Sequence, residues 1–449
     1  MTLDPNKPRP LARDTNHASY KEVDDDGACW GPRLRERIAE EIRRDGPIPF
    51  SRYMELCLYE PELGYYSRPR EQFGKAGDFY TASDVHAVFG RLLARQFEEM
   101  WRALGSPARI DLIELGPGRG LFARDLLDWA GKCFPQFAHT LHYVLVEQSA
   151  QLRARLHERL AEHIAAGRAE VSDSLELAAS SATENIIVFG NEFFDALPVE
   201  IVDHRGSVRV GVEGGRLVES FASPSAAESE FLDRYSVHPE EGERVEAPLQ
   251  SLAWMERIGE IFHVRDNAGP STRVTQPHPA KGSRDAASGA TLARDDRQGN
   301  SAVMSERRGF VILIDYGYTR EEQLAGRHRD TLMTYRQHRA STSPYEAPGE
   351  QDITAHVNFT ALRARGVEHG FDALALLTQS QFLIGIGEET QFADAFQECR
   401  LPQEHTKRAM QVKHLIAPGG MGETFQVLVM ARGVEKQQAA KLSGLKFAR

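Results

Sequence analysis

The chain has 449 residues, of which 41% are hydrophobic and 27% charged, a balance that supports a folded core and excludes disordered, fibrous and membrane-spanning classes. Its formal net charge of −11 is spread without a long acidic block, and no basic stripe interleaved with aromatics is present. Nucleic acid is therefore not the expected ligand, and a cationic partner is the better attracted one.

The four cysteines, Cys29, Cys57, Cys133 and Cys399, form no C-x-x-C pair and have no histidine at metal-ligand spacing, which sets aside zinc sites and disulfide scaffolds. No apolar run is long enough to span a bilayer, and the polar start lacks the apolar core of a signal peptide. A reduced cytoplasmic setting is expected.

Residues 1–30 read as a disordered arm, Leu34 to Arg44 as a charged helix, and Pro47-Ile48-Pro49-Phe50 as its stop. Helices over Ser51 to Leu58 and Val85 to Trp101 flank a Gly- and Tyr-rich loop from Glu60 to Thr81, a candidate lid. Together they make an N-terminal helical region over 31–104.

From Arg109 the pattern changes to short runs, apolar on both faces, that alternate with helical periods. Ile110 to Leu115 is followed by a helix with Phe122, Leu126 and Trp129 on one face, then Leu141 to Glu147, then another helix. Such alternation builds a largely parallel sheet. Asn185 to Gly190, Phe310 to Asp315 and Thr424 to Met430 supply further strands of a domain over 105–430.

Insertions interrupt it. Pro198 to Glu219 alternates like a β-hairpin with turns at Gly206 and Gly214-Gly215, and the amphipathic helix around Leu252 to Ile261 completes a 198–265 insertion. Residues 266–308 carry too few large apolar side chains to offset their ordering entropy and read as a mobile loop. Val357 to Leu383, with Leu374, Leu377 and Phe382, reads as helical within a 340–400 cap, and 431–449 as a C-terminal tail.

The first strand ends in Ile113-Glu114-Leu115 and runs into Gly116-Pro117-Gly118-Arg119-Gly120 before a helix. Backbone amides there can meet ligand oxygens without a Cβ in the way. The dinucleotide fingerprint needs a small sixth residue, where Leu121 stands, so a pyrophosphate is disfavoured and a nicotinamide oxidoreductase becomes the remote alternative.

Glu147, at the end of the next strand, is placed to accept from both hydroxyls of an adenosine ribose. Glu114 is expected to hold a methionine ammonium through water or to order the glycine turn, and Asp173-Ser174 to meet the adenine. Against each single acid stands the plain reading that a strand happens to end in Glu.

Asn191-Glu192-Phe193-Phe194-Asp195 ends the fourth strand beside the switch point where open sheets bind ligands. Asn191 is counted with the cofactor ligands. Glu192 and Asp195 could clamp a guanidinium, with Phe193 and Phe194 as apolar or cation–π walls. The competing reading makes Glu192 the cap of a helix beginning at Asp195 and places the phenylalanines in the core. Asp315 could line the same rim or serve a turn, and His356 is either a proton acceptor or structural.

These residues resemble class I S-adenosylmethionine-dependent methyltransferases and, more narrowly, the MidA-like family. The matching stretches are Pro47 to Tyr66, Gly77-Asp78-Phe79-Tyr80-Thr81, Glu114 to Gly120, Asn191 to Pro198, Asp315-Tyr316-Gly317-Tyr318, and Pro348-Gly349 with Asp352-Ile353-Thr354-Ala355-His356-Val357. They cover most of 45–430.

The resemblance implies an α/β Rossmann-like fold with a mostly parallel seven-stranded sheet and extra helical elements. It also implies S-adenosylmethionine as cofactor, no metal, and closure of the segment bearing Gly77, Asp78 and Thr81 over the cofactor, against which stands a plain N-cap by Thr81 or Ser83. The implied activity is methylation of a protein arginine, in the eukaryotic members on a respiratory complex I subunit. A eukaryotic member would work in the mitochondrial matrix, although no clear transit peptide is visible. An assembly factor acting by protein binding and a small-molecule methyltransferase are the alternatives, and the oligomeric state is left open.

Overall fold

Runs that are apolar on both faces become the interior of one sheet. The computed structural model describes residues 30–67, 87–264, 305–324, 330–336, 339–341 and 343–448. The central sheet contains β1 (Ile110–Leu115), β2 (Leu141–Val146), β3 (Ala169–Ser172), β4 (Asn185–Asn191), β5 (Arg308–Tyr318), β6 (Asp372–Thr378) and β7 (Phe425–Arg432). Their order is β3-β2-β1-β4-β5-β7-β6. Neighbours from β3 through β5 are parallel, while β7 runs antiparallel to both β5 and β6. The sheet is thus mostly parallel, and Val357–Asn358 adds a short eighth strand against the end of β5. Strand order reverses between β1 and β4, which puts the switch point beside the glycine turn.

Among the helices are α1 (Trp30–Asp45), α2 (Phe50–Tyr59), α3 (Ala87–Ala103) and α4 (Leu121–Cys133). The apolar stripes of α3, α4 and Gln379–Glu388 cover one face of the sheet; Leu249–Ile261 and Phe359–Glu368 cover the other. Phe97 of α3 meets Phe189 of β4 edge-on at 5.5 Å, and Phe122 of α4 stacks on the same ring at 4.7 Å. Each such fully buried ring contributes about 2–3 kcal/mol relative to exposure.

The segment expected as a helical cap contains β6. Its Ala373-Leu374-Ala375-Leu376-Leu377 run is apolar at every position, which periodicity alone cannot assign. Capped helices settle it: Asn358 accepts from Ala361 N ahead of Phe359–Glu368, and Thr378 and Gln381 form a capping box ahead of Gln379–Glu388. Between those helices remains a stretch of strand length. The expected tail also folds back, with Leu442 and Leu445 in the core and the amides of Ser443 and Gly444 donating to Glu99 and Gln96 of α3, each at 2.8 Å.

The predicted hairpin is part of a second, five-stranded antiparallel sheet. Glu200–Asp203, Gly206–Glu213 and Arg216–Ala222 form a meander; Arg244–Ala247 pairs with its first strand and Ile48–Pro49 with its central one. Gly214 and Gly215 turn with left-handed φ of 57° and 77°. Leu34 and Ile38 of α1 and Phe50 and Tyr53 of α2 pack against this sheet. Tyr59, at the end of α2, donates its hydroxyl to Ala196 O at 2.9 Å and so ties the N-terminal helices to the turn after β4.

Residues 1–29 of the arm, the greater part of the candidate lid and residues 266–304 of the expected mobile loop lie outside the described residues. The end of that loop stretch is ordered. Arg307 is buried, and its guanidinium donates to the carbonyls of Ala179, Ala182, Thr183 and Ile261 at 2.6–3.1 Å.

Candidate active site

The turn after β1 alternates into left-handed conformations at Gly116 (φ 61°), Gly118 (φ 50°) and Gly120 (φ 69°), where a side chain is strained. A Cβ on Gly116 would stand 2.8 Å from the Phe193 ring. Gly116, Gly118 and the residues between them face a cavity of about 980 Å³ at the switch point. Gly120 does not line it. A Cβ there would meet Leu156 at 2.6 Å, so this glycine serves close helix packing rather than ligand contact.

Glu114 and Glu147 both line the cavity. Glu114 is buried and accepts from the Tyr143 hydroxyl at 2.9 Å; burial pushes its carboxyl up to about 8. The Glu147 carboxyl accepts from Ser149 N at 2.8 Å, and burial pushes it up to about 7. Ser149 in turn caps the helix Ala150–Arg159, which brings Gln148, Ser149 and Leu152 to the same wall. The sequence reading did not mark those three, although a serine cap directly after the strand-end acid was a visible signal.

Asp173 and Ser174 do not line the cavity. They follow β3, two strands away from the switch point, and the chain enters the helix Leu175–Ser180 at once. The Ser174 hydroxyl donates to the exposed Asp173 at 3.1 Å. Gly77, Asp78 and Thr81 lie outside the described residues.

The acceptor end is built by the turn after β4. Asn191 Nδ2 donates to Glu192 Oε1 at 3.1 Å, whereas Asn191 Oδ1 is buried without a partner among the described residues. Glu192 lines the cavity from a left-handed φ of 50°, a strained conformation for a non-glycine residue. Its amide is held by Ile314 O at 2.9 Å. No helix begins at Asp195, so the capping role has nothing to cap. Phe194 is a core residue rather than a site wall; Phe193 does line the cavity, edge-on to Trp254 at 4.9 Å.

Asp195 is only 7% exposed. The Tyr316 hydroxyl donates to its Oδ2 at 2.6 Å, while Oδ1 is buried without a partner among the described residues. Burial pushes this carboxyl up to about 6. Below it, Asp315 Oδ2 accepts the amides of Phe194 and Asp195 at 3.0 and 3.2 Å, so Asp315 builds the turn and does not line the rim. Burial, reinforced by the charges of Asp195 and Glu192, holds Asp315 well above the usual carboxylate range. His356 lines the cavity with its ring edge-on to Tyr316 at 5.3 Å, and its amide donates to Thr331 Oγ1 at 3.1 Å.

Six acids line the cavity, Glu55, Glu114, Glu147, Glu192, Asp195 and Asp352, of which burial keeps Glu114 largely protonated near neutral pH, against the cations of Arg119 and Arg257. Arg257 is engaged elsewhere, paired with Glu176 at 2.7 Å and stacked 3.9 Å over Trp254. The wall is therefore acidic and suits a positively charged ligand.

The sequence profile of a family of S-adenosyl-L-methionine-dependent methyltransferases matches residues 92–377. The chain belongs to that family. It is 29% identical over 423 residues to the Drosophila melanogaster protein named protein arginine methyltransferase NDUFAF7 homolog, mitochondrial, across 89% of this chain and 85% of that one. The Danio rerio protein arginine methyltransferase NDUFAF7, mitochondrial, is 25% identical across 91% and 90% of the two chains. A crystal structure from Burkholderia thailandensis, bound to S-adenosyl-homocysteine, superposes with a TM-score of 0.70 at 28% identity and covers 93% of this chain and 96% of that one.

The methyltransferase uses S-adenosylmethionine, and the described residues fit it. Gly116 leaves the space a Cβ would fill, Glu147 stands where strand-end acids meet ribose hydroxyls, and Asn191 Oδ1, without a partner among the described residues, offers a buried acceptor for an ammonium.

Proposed function

We propose that this methyltransferase modifies the guanidinium of a protein arginine. The observation that carries the reading is Asp195, a buried carboxylate with one oxygen fixed by Tyr316 and the other without a partner among the described residues, in a cavity whose charged lining is mostly acidic. The names of the curated relatives agree with it. Because those proteins carry mitochondrial names, they lend no support to the cytoplasmic placement expected from the sequence. A respiratory complex I subunit is the substrate to try first.

S-adenosylmethionine supplies a methyl group on a positive sulfur. In this reading Asp195 Oδ1 accepts from the guanidinium and, with Glu192 on the same turn, holds its charge away from the attacking nitrogen. The glycine turn and Phe193 fix the line of approach, which is the larger part of catalysis for a displacement of this kind. The N–C bond forms as the methyl–sulfur bond breaks, with its electron pair left on a neutral thioether. Arginine stays protonated throughout the accessible pH range, so one N–H proton must leave with the transfer. Asp195 takes it, Tyr316 keeps that carboxylate in place, and water carries the proton off; the methylated guanidinium remains cationic.

Incubation with methyl-labelled S-adenosylmethionine and paired peptides that differ only in Arg against Lys tests this directly. Label on the arginine peptide alone is expected; equal label on both, or label only on a small molecule, contradicts it.

A further inference from the structure

We infer that Asp352 is the second arm of the acceptor clamp, standing with Asp195 at a slot walled by Tyr59, Tyr66 and Tyr335, and that this pair of carboxylates selects a planar cation. The inference rests on the arginine reading above and names the group that completes it.

The fold brings these residues together from four separate stretches of chain. Asp352 opens the strand Asp352–Thr354, which pairs antiparallel with Met333–Arg336 so that Tyr335 and Asp352 are direct cross-strand partners. At the far end of the strand Ala355 N donates to Asp195 O at 3.0 Å, which locks it against the turn after β4. From the N-terminal helices, Tyr59 reaches that same turn through Ala196 O. Tyr66, after the next turn, donates its hydroxyl to Asp352 Oδ1 at 2.9 Å. All five side chains line the one cavity.

Each carboxylate thus has a tyrosine hydroxyl of its own: Tyr316 on Asp195 at 2.6 Å and Tyr66 on Asp352 at 2.9 Å. Such a bond fixes the rotamer of an acid, and a carboxylate has acceptor positions for several donors; Asp352 Oδ1 also takes the amide of Ile353 at 3.1 Å. The rings of Tyr59 and Tyr66 lie stacked, 5.6 Å apart with 28° between their planes. Burial, with the negative charges of Asp352 and Asp195 added, holds the hydroxyls of Tyr59, Tyr66 and Tyr335 above the ordinary tyrosine range. They remain neutral donors at any working pH.

A guanidinium is flat and carries five N–H donors in a fixed fork, so it can meet two acids in one plane and lie against aromatic faces. A lysine ammonium is a compact, strongly hydrated point charge and gains less from such a slot. Glu192 comes from the same turn as Asp195, with Oε1 accepting from Asn191, whereas Asp352 brings a carboxyl to the cavity from a separate strand. Asp352 is only 2% exposed; an acid held at that depth on the cavity wall fits a specificity role better than a solvating one.

Asp352→Asn in the full chain keeps the shape and removes the charge. With an arginine peptide as acceptor, KM is expected to rise about tenfold or more while calorimetric affinity for S-adenosyl-homocysteine stays unchanged. Tyr66→Phe, which removes only the bond that orients Asp352, should raise KM in the same direction by less, and Asp352→Glu should recover part of the loss. Unchanged peptide KM in Asp352→Asn overturns the inference. If that variant also loses S-adenosyl-homocysteine binding, Tyr66→Phe decides: a raised KM supports the assignment and an unchanged one overturns it. Wild-type enzyme that methylates no arginine overturns this inference together with the acceptor reading, whereas arginine methylation indifferent to Asp352 overturns this inference alone.

Discussion

Gly116 and Asp195 each permit a test at a single atom. Gly116→Ala puts a methyl group 2.8 Å from the Phe193 ring at a φ of 61°, so affinity for S-adenosyl-homocysteine is expected to fall by about tenfold or more, read by calorimetry. Affinity equal to wild type would remove the cradle from the account. For Asp195, burial sets the carboxyl near 6, and only its ionised form can hold a cation and take a proton. The value of kcat/KM should therefore rise with pH through about 6 and level off above it, and Asp195→Asn should lose about 100-fold in kcat. A flat profile between pH 5 and pH 7, as probed with buffers spanning about two pH units, goes against that role.

Single residues also show what a linear sequence hides. Glu114, Glu147 and Asp195 were legible because each ends a strand or follows its turn, at a spacing that nucleotide-binding sheets make meaningful. Tyr59, Tyr66, Tyr335 and Trp254 were not marked, because no local spacing links them and only the chain path brings them to one cavity. Asp173 stands off the cavity wall for a geometric reason: the same strand-end rule applies, but β3 lies two strands from the switch point.

At the scale of elements, Arg307 joins the ends of the helices Leu175–Ser180 and Leu249–Ile261 to the start of β5 by bonds to Ala179, Ala182, Thr183 and Ile261 carbonyls. Removing it orphans those acceptors, so Arg307→Ala is expected to cost about 3 kcal/mol in urea unfolding. A loss near zero would mean water replaces the guanidinium freely.

Glu246 of Arg244–Ala247 accepts from Thr331 N, has Oε2 without a partner among the described residues, and is pushed up to about 7 by burial. Its folded value lies above the ordinary glutamate value of about 4.5, so the folded state keeps a proton that the unfolded chain releases. The resulting stabilisation is fully present below about 4.5 and fades as pH rises through about 7. The fall in Tm across that window should be smaller in Glu246→Gln than in wild type.

Element type was readable wherever the apolar period was unambiguous, as in α3 and α4, or a short apolar run was bounded by turn residues, as in the five strands read from such runs. It was not readable in β6, where uninterrupted apolar residues fit a buried helix equally well and only the packed edge of the sheet decides.

The whole molecule combines a methyltransferase sheet, an antiparallel sheet carrying the N-terminal helices, and a cavity walled by the turns of the first sheet and by residues of that N-terminal helical region. With a net charge of −11 and an acidic lining, attraction of a cationic acceptor should weaken as salt shortens the screening length from about 10 Å at 0.1 M to about 3 Å at 1 M. Peptide KM is expected to rise across that range, with S-adenosyl-homocysteine affinity moving far less; parallel changes in both would mean that salt acts on the fold instead.

The acceptor is the claim on which the rest of the account depends. Tandem mass spectrometry of a protein product formed with a deuterated methyl donor locates the transferred group atom by atom. The account predicts the label on a guanidino nitrogen of arginine. A label on a lysine amine, a carboxyl oxygen or a free small molecule would contradict it.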